Sequence, residues 1–140
     1  MRIDKRGYYL GIAEAVSGRS TCLRRHYGAV IVKDDEIIAT GYNGAARGEP
    51  NCCDTGICYR KGMEHNDGNY GSCPAVHAEQ NAIISASRSE MIGSTLYLYG
   101  YDCELGKTIK AEPCPVCARM IKNAGIAFVV GSEEVNHEAD

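Results

Sequence analysis

In the first third of the chain, the spacing of apolar residues changes from that of a helix to that of β-strands. Apolar residues recur at helical spacing over residues 4–17, which predicts an amphipathic first helix with Asp4 as its N-cap and Gly18 at its end. Two β-branched runs, 29–32 and 37–40, then flank an acidic turn. Such paired runs predict a β-hairpin.

The rest of the chain twice places a helix before a strand. Residues 76–88 have a helical pattern, and residues 95–99 alternate as a strand. After a polar insertion over 100–112, prolines at the head of "PCPVCARMIKNAGI" predict a further helix, which Asn123, Ala124 and Gly125 close. A last apolar strand is predicted over 126–130. Residues 44–74 carry little periodicity, and a connection of that length is usually functional or anchored.

The order of these elements predicts an α/β fold with helices on both faces of a mixed sheet of about four strands. A right-handed helical crossover joins the last two strands, so we expect them to run parallel. We expect one domain over residues 1–132 and a frayed acidic tail over 133–140.

Composition narrows the class of protein. Of the 140 residues, 44% are apolar and 24% are charged, which is ordinary for a globular chain. The formal net charge of -3 disfavours non-specific binding to nucleic acid, which needs clustered Lys and Arg. Because no apolar stretch has the pattern of a signal peptide or a membrane span, we expect a cytoplasmic protein with no membrane partner.

Eight cysteines are the exception in this composition. Disulfides are rare in a reducing cytosol, so metal ligation or catalysis is the better use of these thiols. Most of them lie in connections rich in Gly, Pro and Asn instead of in the apolar runs.

Two short motifs predict a catalytic zinc site. "HAEQNAI" and "PCPVC" provide His77, Cys114 and Cys117, and three such ligands leave a fourth position for water. The two cysteines begin a helix, whose unpaired N–H groups and positive dipole end favour thiolates. Glu79 lies two residues after His77, where we expect its carboxylate to reach that water. H-x-E followed by P-C-x-x-C is the signature of zinc deaminases, in which the glutamate is the general acid and base.

Together with "STCLRRHYGAVIVKDDEIIATGYNG" and "NCCD", these motifs carry a resemblance that covers most of residues 20–130. The chain resembles the deoxycytidylate deaminase family, which has a three-layer α/β/α cytidine-deaminase-like fold. The resemblance implies zinc-dependent hydrolysis of dCMP to dUMP with release of ammonia, in which Glu79 moves the protons. Three alternatives stay open. One is deamination of another free cytosine nucleoside or nucleotide, and a second is editing of a base in single-stranded nucleic acid, which an acidic chain without a basic stripe disfavours. The third is a non-catalytic structural zinc module that binds partners and leaves Glu79 idle.

The resemblance also implies contacts with a small pyrimidine nucleotide. It places Asn43 of "GYNG" on the sugar, Arg88 near the phosphate and Ala78 beside the substrate. Arg24 and Arg47 are further candidates for the phosphate, although an ordinary solvated arginine is an equally good interpretation of each.

A second metal site and an oligomer are also expected. Related deaminases often carry a second, structural zinc in this region, and the corresponding thiols here are Cys22 and Cys52, with Cys58 and Cys73 as looser matches. His65 or Cys53 is an alternative ligand, and four buried thiols without metal is the alternative to the whole site. An uncovered strand edge near the end of the chain predicts a homo-oligomer, a dimer or a hexamer.

Overall fold

A computed structural model of the protein describes residues 1–58 and 73–134. In chain order, the elements are α1 (Lys5–Ser17), β1 (Arg25–Lys33), β2 (Glu36–Tyr42), β3 (Gly44–Ala45), α2 (Cys52–Thr55), β4 (Ala75–Val76), α3 (Ala78–Ile84), α4 (Arg88–Met91), β5 (Thr95–Asp102), β6 (Lys107–Ile109), α5 (Pro115–Ala124) and β7 (Phe128–Gly131). Among the helices in these two ranges, none combines the length and the apolar character needed to cross a membrane.

Five strands form one mixed sheet around β5. β1 pairs antiparallel with β2 on one side and with β5 on the other. Two strands share the other edge of β5. β7 pairs parallel with the first half of β5, and β6 pairs antiparallel with its second half. The predicted parallel pairing of β5 and β7 is therefore confirmed. The sheet has one strand more than the four expected, because part of the insertion folds back as β6.

Helix α1 covers one face of this sheet. Its predicted N-cap is confirmed, since the carboxylate of Asp4 accepts the Gly7 N–H at 2.7 Å. Tyr9 of α1 packs with Val30 and Val32 of β1, and its hydroxyl donates to Asp35 at 2.6 Å in the turn of the predicted hairpin. The first helix and the hairpin thus fix each other.

Helices α3, α4 and α5 cover the opposite face. Ala29 and Ile31 of β1 pack there with Ala82 of α3, because alternate residues of a strand face opposite sides of a sheet. The single helix predicted over 76–88 is wrong, since α3 ends at Ile84 and a new helix begins. Ser87 starts α4 by accepting the Glu90 N–H at 3.3 Å.

The predicted insertion over 100–112 is ordered and extends the sheet. The carboxylate of Asp102 accepts the N–H groups of Glu104 and Leu105, each at 2.9 Å, and so closes the turn between β5 and β6. The buried hydroxyl of Ser132 accepts the Gly100 N–H at 3.1 Å and donates to the Ile109 carbonyl at 2.8 Å. These bonds join β5, β6 and the segment that follows β7.

Helix α5 and strand β7 complete the sheet. α5 ends at Gly125 with a positive φ of 87°, as predicted. The last strand begins at Phe128, two residues later than expected. It is apolar but not buried on both faces within this chain, because the Phe128 side chain is 67% exposed.

Candidate active site

The predicted metal ligands meet where two helices begin. His77 is the N-cap of α3, and its carbonyl accepts the Asn81 N–H at 3.0 Å. Cys114 is the N-cap of α5, with Pro115 at the first helical position, and Cys117 follows in the first turn. The ligands therefore lie at the ends of two helices instead of along their flanks.

The geometry of this group fits a tetrahedral metal ion. His77 Nδ1 lies 3.2 Å from Cys117 Sγ and 3.6 Å from Cys114 Sγ, and all three ligand atoms lie within 4.8 Å of one another. Zinc bonds of about 2.0 and 2.3 Å at a tetrahedral angle would separate nitrogen and sulfur by about 3.5 Å. Within the described ranges, no other group of three His, Cys, Asp or Glu side chains is this close.

Glu79 is buried beside this group. Its side chain lies in the first turn of α3, and burial raises the pKa of its carboxyl. Burial likewise raises the pKa of the Cys117 thiol, and the neighbouring Glu79 and Cys114 raise it further. Acidic groups crowded into a buried space favour a divalent cation, whose charge offsets theirs.

The metal group borders a cavity in the described part of the chain. His77, Ala78 and Glu79 line it, with Cys114 from α5. These four residues, together with the third candidate ligand Cys117, are called the metal side of the cavity below. Ala78 is fully buried, as its position between a ligand and the carboxylate requires.

Strand β1 and the loop before it supply another part of the cavity wall. Arg24, Arg25 and Tyr27 line the cavity there and are called its arginine side. Sequence reasoning missed Arg25 and Tyr27. The signal for them was the alternation of β1, which puts residues 25 and 27 on the same face as the core residue Ala29.

Tyr27 packs its ring on a glycine of the neighbouring strand. A Cβ atom on Gly100 would lie 2.8 Å from Tyr27 Cε1, so only glycine leaves room for the ring in this position. Burial raises the pKa of the Tyr27 hydroxyl, whereas the charge of Arg25 and a hydrogen bond from it act in the opposite direction. The tyrosine and the arginine are therefore close neighbours on the cavity wall.

Asn43, the predicted sugar contact, lines the cavity and also organises β1. Its Oδ1 accepts the Ser20 hydroxyl at 2.6 Å and the Tyr27 N–H at 2.8 Å. Its Nδ2 donates to the Arg25 carbonyl at 2.9 Å. The buried amide thus holds the backbone of Arg25 and Tyr27 on the arginine side.

The other arginines predicted near the phosphate separate in the structure. Arg24 lines the cavity beside the metal group, but Arg47 borders a different surface groove. Arg88 begins α4, where its Nε donates to the Asn123 carbonyl at 3.3 Å, and it does not line the cavity of its own chain.

The second group of predicted ligands gathers around the same cavity, which Cys22, Cys58 and Cys73 line. Burial raises the pKa of the Cys52 thiol, and the nearby thiols raise it further. Cys53 is exposed, and its sulfur lies 3.9 Å from the Asp54 carboxylate. His65 lies outside the described residues.

Cysteine and histidine ligands at two helix starts, with a buried carboxylate beside them and a cavity in front, define a hydrolytic zinc enzyme of the deaminase class. The chain belongs to the cytidine and deoxycytidylate deaminase family, because the sequence model of that family's zinc-binding region matches residues 3–133. The family predicted from the motifs is thereby confirmed.

Individual relatives agree with this assignment. The deoxycytidylate deaminase of Mycobacterium phage D29 is 40% identical over 139 residues, which cover 95% of this chain and 98% of that protein. The deoxycytidylate deaminase of Saccharomyces cerevisiae is 37% identical over 136 residues, which cover 95% of this chain but 39% of the yeast protein.

A solved structure confirms the predicted fold class. The dCMP deaminase of cyanophage S-TIM5, crystallised in complex with dCMP and dUMP, superposes with a TM-score of 0.64 at 32% identity. The superposition covers 92% of this chain and 81% of the cyanophage chain.

Proposed function

We propose that this chain catalyses the zinc-dependent hydrolytic deamination of dCMP to dUMP, with release of ammonia. The observation that carries the proposal is the group of His77, Cys114 and Cys117 beside buried Glu79 at the edge of a cavity. The names of the phage and yeast relatives, and the dCMP and dUMP of the cyanophage complex, support this choice of substrate.

His77 and the two thiolates of Cys114 and Cys117 would hold the zinc. When bound, the ion supplies Lewis acidity, which lowers the pKa of water toward neutrality. The three side chains leave one tetrahedral position for a fourth ligand, as catalytic zinc sites require.

Glu79 moves the protons in this proposal. Its carboxylate accepts a proton from the attacking water and delivers it to ring N3 while the oxygen bonds to C4. It then carries the second proton to the amino nitrogen, the C4–N4 bond breaks and ammonia leaves. Its burial helps, because a carboxylate with a raised pKa is a stronger base toward the attacking water.

The remaining cavity residues would orient the nucleotide. The Asn43 amide has two N–H groups, and within the described residues one of them donates to the Arg25 carbonyl. The other N–H is suited to a sugar hydroxyl. Ala78 lies between His77 and Glu79 and brings its backbone close to the base, and Arg24 offers positive charge for the phosphate.

A substrate panel tests this function. The purified protein is incubated with dCMP, CMP, deoxycytidine and dCTP, and ammonia release is measured with the zinc content of each sample. We expect dCMP to give the highest kcat/KM. Glu79→Gln should lower kcat by about 100- to 10,000-fold while zinc content stays unchanged. No ammonia from any substrate with fully zinc-loaded protein would contradict an enzymatic role.

We also propose a second, structural zinc on the cysteine group Cys22, Cys52, Cys58 and Cys73. Its support is that three of these thiols line one cavity and that they act electrostatically on the fourth. No three of their sulfur atoms lie within 4.8 Å of one another, so the ion would draw them together. Metal analysis should give two zinc ions per chain and one for Cys52→Ser. One ion in both proteins would exclude the site.

We further propose a cytoplasmic homo-oligomer. All eight cysteines are free thiols, which fits a reducing compartment. Ile92 is 48% exposed and Phe128 67% exposed, and apolar side chains of this size favour burial against another chain. Sedimentation at micromolar concentration should give a dimer or a hexamer, and a monomer would contradict the assembly.

A further inference from the structure

We propose that Arg25 binds the phosphate of the substrate nucleotide and that Asp102, on the β5–β6 hairpin, positions it. The proposal rests on the proposed function and names a specificity residue for it. It also gives the ordered insertion a role in the cavity.

The first observation is a largely buried ion pair. Arg25 Nε lies 3.3 Å from Asp102 Oδ2, and the two side chains are 22% and 9% exposed. The pair joins the first residue of β1 to the last residue of β5, which are register partners in the sheet. Removal of water from both partners makes this contact stronger and more directional than a surface ion pair.

Asp102 is itself held in place. Its other oxygen, Oδ1, accepts the N–H groups of Glu104 and Leu105 in the hairpin turn. Burial acts to raise the pKa of Asp102, but these N–H groups and Arg25 outweigh burial and lower it. The carboxylate is therefore charged at neutral pH and fixed at both oxygens.

Arg25 is also held by its backbone and directed into the cavity. Its carbonyl accepts from the buried Asn43 amide, and its side chain lines the cavity together with Arg24. The ion pair engages the Nε edge of the guanidinium. A phosphate oxygen is suited to the Nη atoms of the same rigid fork.

The charges around the cavity favour an anion at this point. Arg24 and Arg25 both line its arginine side, and the Nε edge of Arg25 is the part that Asp102 engages. Of the carboxylates that line the cavity, Glu79 belongs to the metal side, and Glu112 is exposed and paired with Lys110 at 3.2 Å. A phosphate monoester carries up to two negative charges, which the guanidinium groups of Arg24 and Arg25 can share.

Kinetics with paired substrates test the proposal. kcat/KM is measured for dCMP and for deoxycytidine, which lacks the phosphate, with wild type, Arg25→Gln, Arg25→Lys and Asp102→Asn. Arg25→Gln should lower kcat/KM for dCMP by about 10- to 100-fold and leave deoxycytidine within about 3-fold. Arg25→Lys should retain part of the preference for dCMP, because it keeps the charge without the fork.

Asp102→Asn tests positioning separately. It should raise KM for dCMP by about 3- to 10-fold with kcat unchanged, because the guanidinium stays charged but loses its anchor. A merely structural role of Asp102 would change both substrates alike. Arg119→Gln, an exposed change on α5, is the matched control and should alter neither.

The outcomes separate the two proposals. If wild type deaminates neither substrate, the proposed function fails, and calorimetry with dUMP and deoxyuridine then tests Arg25 directly. An equal loss of kcat/KM for dCMP and for deoxycytidine, or no loss for either substrate, would overturn the role of Arg25. If Arg25→Gln does not fold or does not bind zinc, Arg25→Lys and Asp102→Asn take its place. The test is then the ratio of kcat/KM for dCMP to kcat/KM for deoxycytidine in these two variants.

Discussion

The metal side and the arginine side of the cavity are built in different ways. His77, Cys114 and Cys117 come from two short motifs, each at the start of a helix. On the arginine side, Arg25 depends on Asp102, which is 77 positions away in the sequence. Local sequence therefore brings the candidate ligands together, whereas strand pairing decides which side chains form the opposite part of the cavity wall.

The two sides also differ in charge and in the effect that a substitution should have on activity. The metal side concentrates buried acidic groups, and burial raises the pKa of both Glu79 and Cys117. The arginine side places Arg24 and Arg25 on the same cavity. Changes on the metal side should therefore abolish the reaction, and changes on the arginine side should mainly alter substrate affinity.

Loss of a metal ligand should have the largest effect. Cys117→Ser replaces a fully buried thiol by a hydroxyl, which is a far weaker zinc ligand because it stays protonated. We expect loss of the catalytic zinc and a fall in kcat of at least about 1000-fold. Metal analysis and ammonia release measure the two effects.

Cys103→Ser is the matched control for this change. Cys103 lies in the hairpin turn and lines neither side of the cavity, and its own N–H donates to the Arg24 carbonyl at 3.0 Å. Zinc content and kcat should stay within about 2-fold of wild type, because a substitution away from the cavity and the candidate ligands usually has a small effect. A Cys117→Ser protein with full zinc and a tenth of the activity would show that the metal side is misassigned.

Loss of the Asn43 amide should have an intermediate effect on the arginine side. Asn43→Ala leaves the Tyr27 N–H and the Arg25 carbonyl without their partner, which should lower the free energy of unfolding by about 2–3 kcal/mol. KM for dCMP should rise by about 10-fold, because both residues lose a backbone anchor. Urea unfolding and steady-state kinetics measure these quantities.

Ser20→Ala separates the two roles of Asn43. It removes one hydrogen bond to Oδ1 and leaves the contacts with β1 in place, so it should cost about 1 kcal/mol with KM unchanged. An Asn43→Ala protein of lower stability but unchanged KM would mean that the arginine side does not depend on this amide.

The features that could be predicted from sequence are those encoded within one helical turn or one hairpin. The N-cap Asp4, the end of α5 at Gly125 and the ligands at two helix starts all belong to this class. β6 and the Arg25–Asp102 pair were missed, because they depend on which strand lies beside β5. Periodicity gives the face of a residue but not its partner across the sheet.

The close packing of Tyr27 on Gly100 should give the smallest effect and the sharpest test of the arginine side. In Gly100→Ala, the new Cβ would lie 2.8 Å from Tyr27 Cε1 and 3.2 Å from Ile109 Cγ1, so the ring must shift. We expect a loss of about 1–2 kcal/mol in unfolding free energy and a rise of about 3-fold in KM for dCMP.

A double-mutant cycle identifies the cause of this loss. Tyr27→Val shortens the side chain, so Gly100→Ala should cost about 1 kcal/mol less in that background than in wild type. Zinc content should be the same in all four proteins, because neither position supplies a ligand of the candidate zinc site. An identical cost in both backgrounds would assign the strain to Ile109 instead of Tyr27. The packing of Tyr27 on Gly100 would then contribute nothing to holding the arginine side in place.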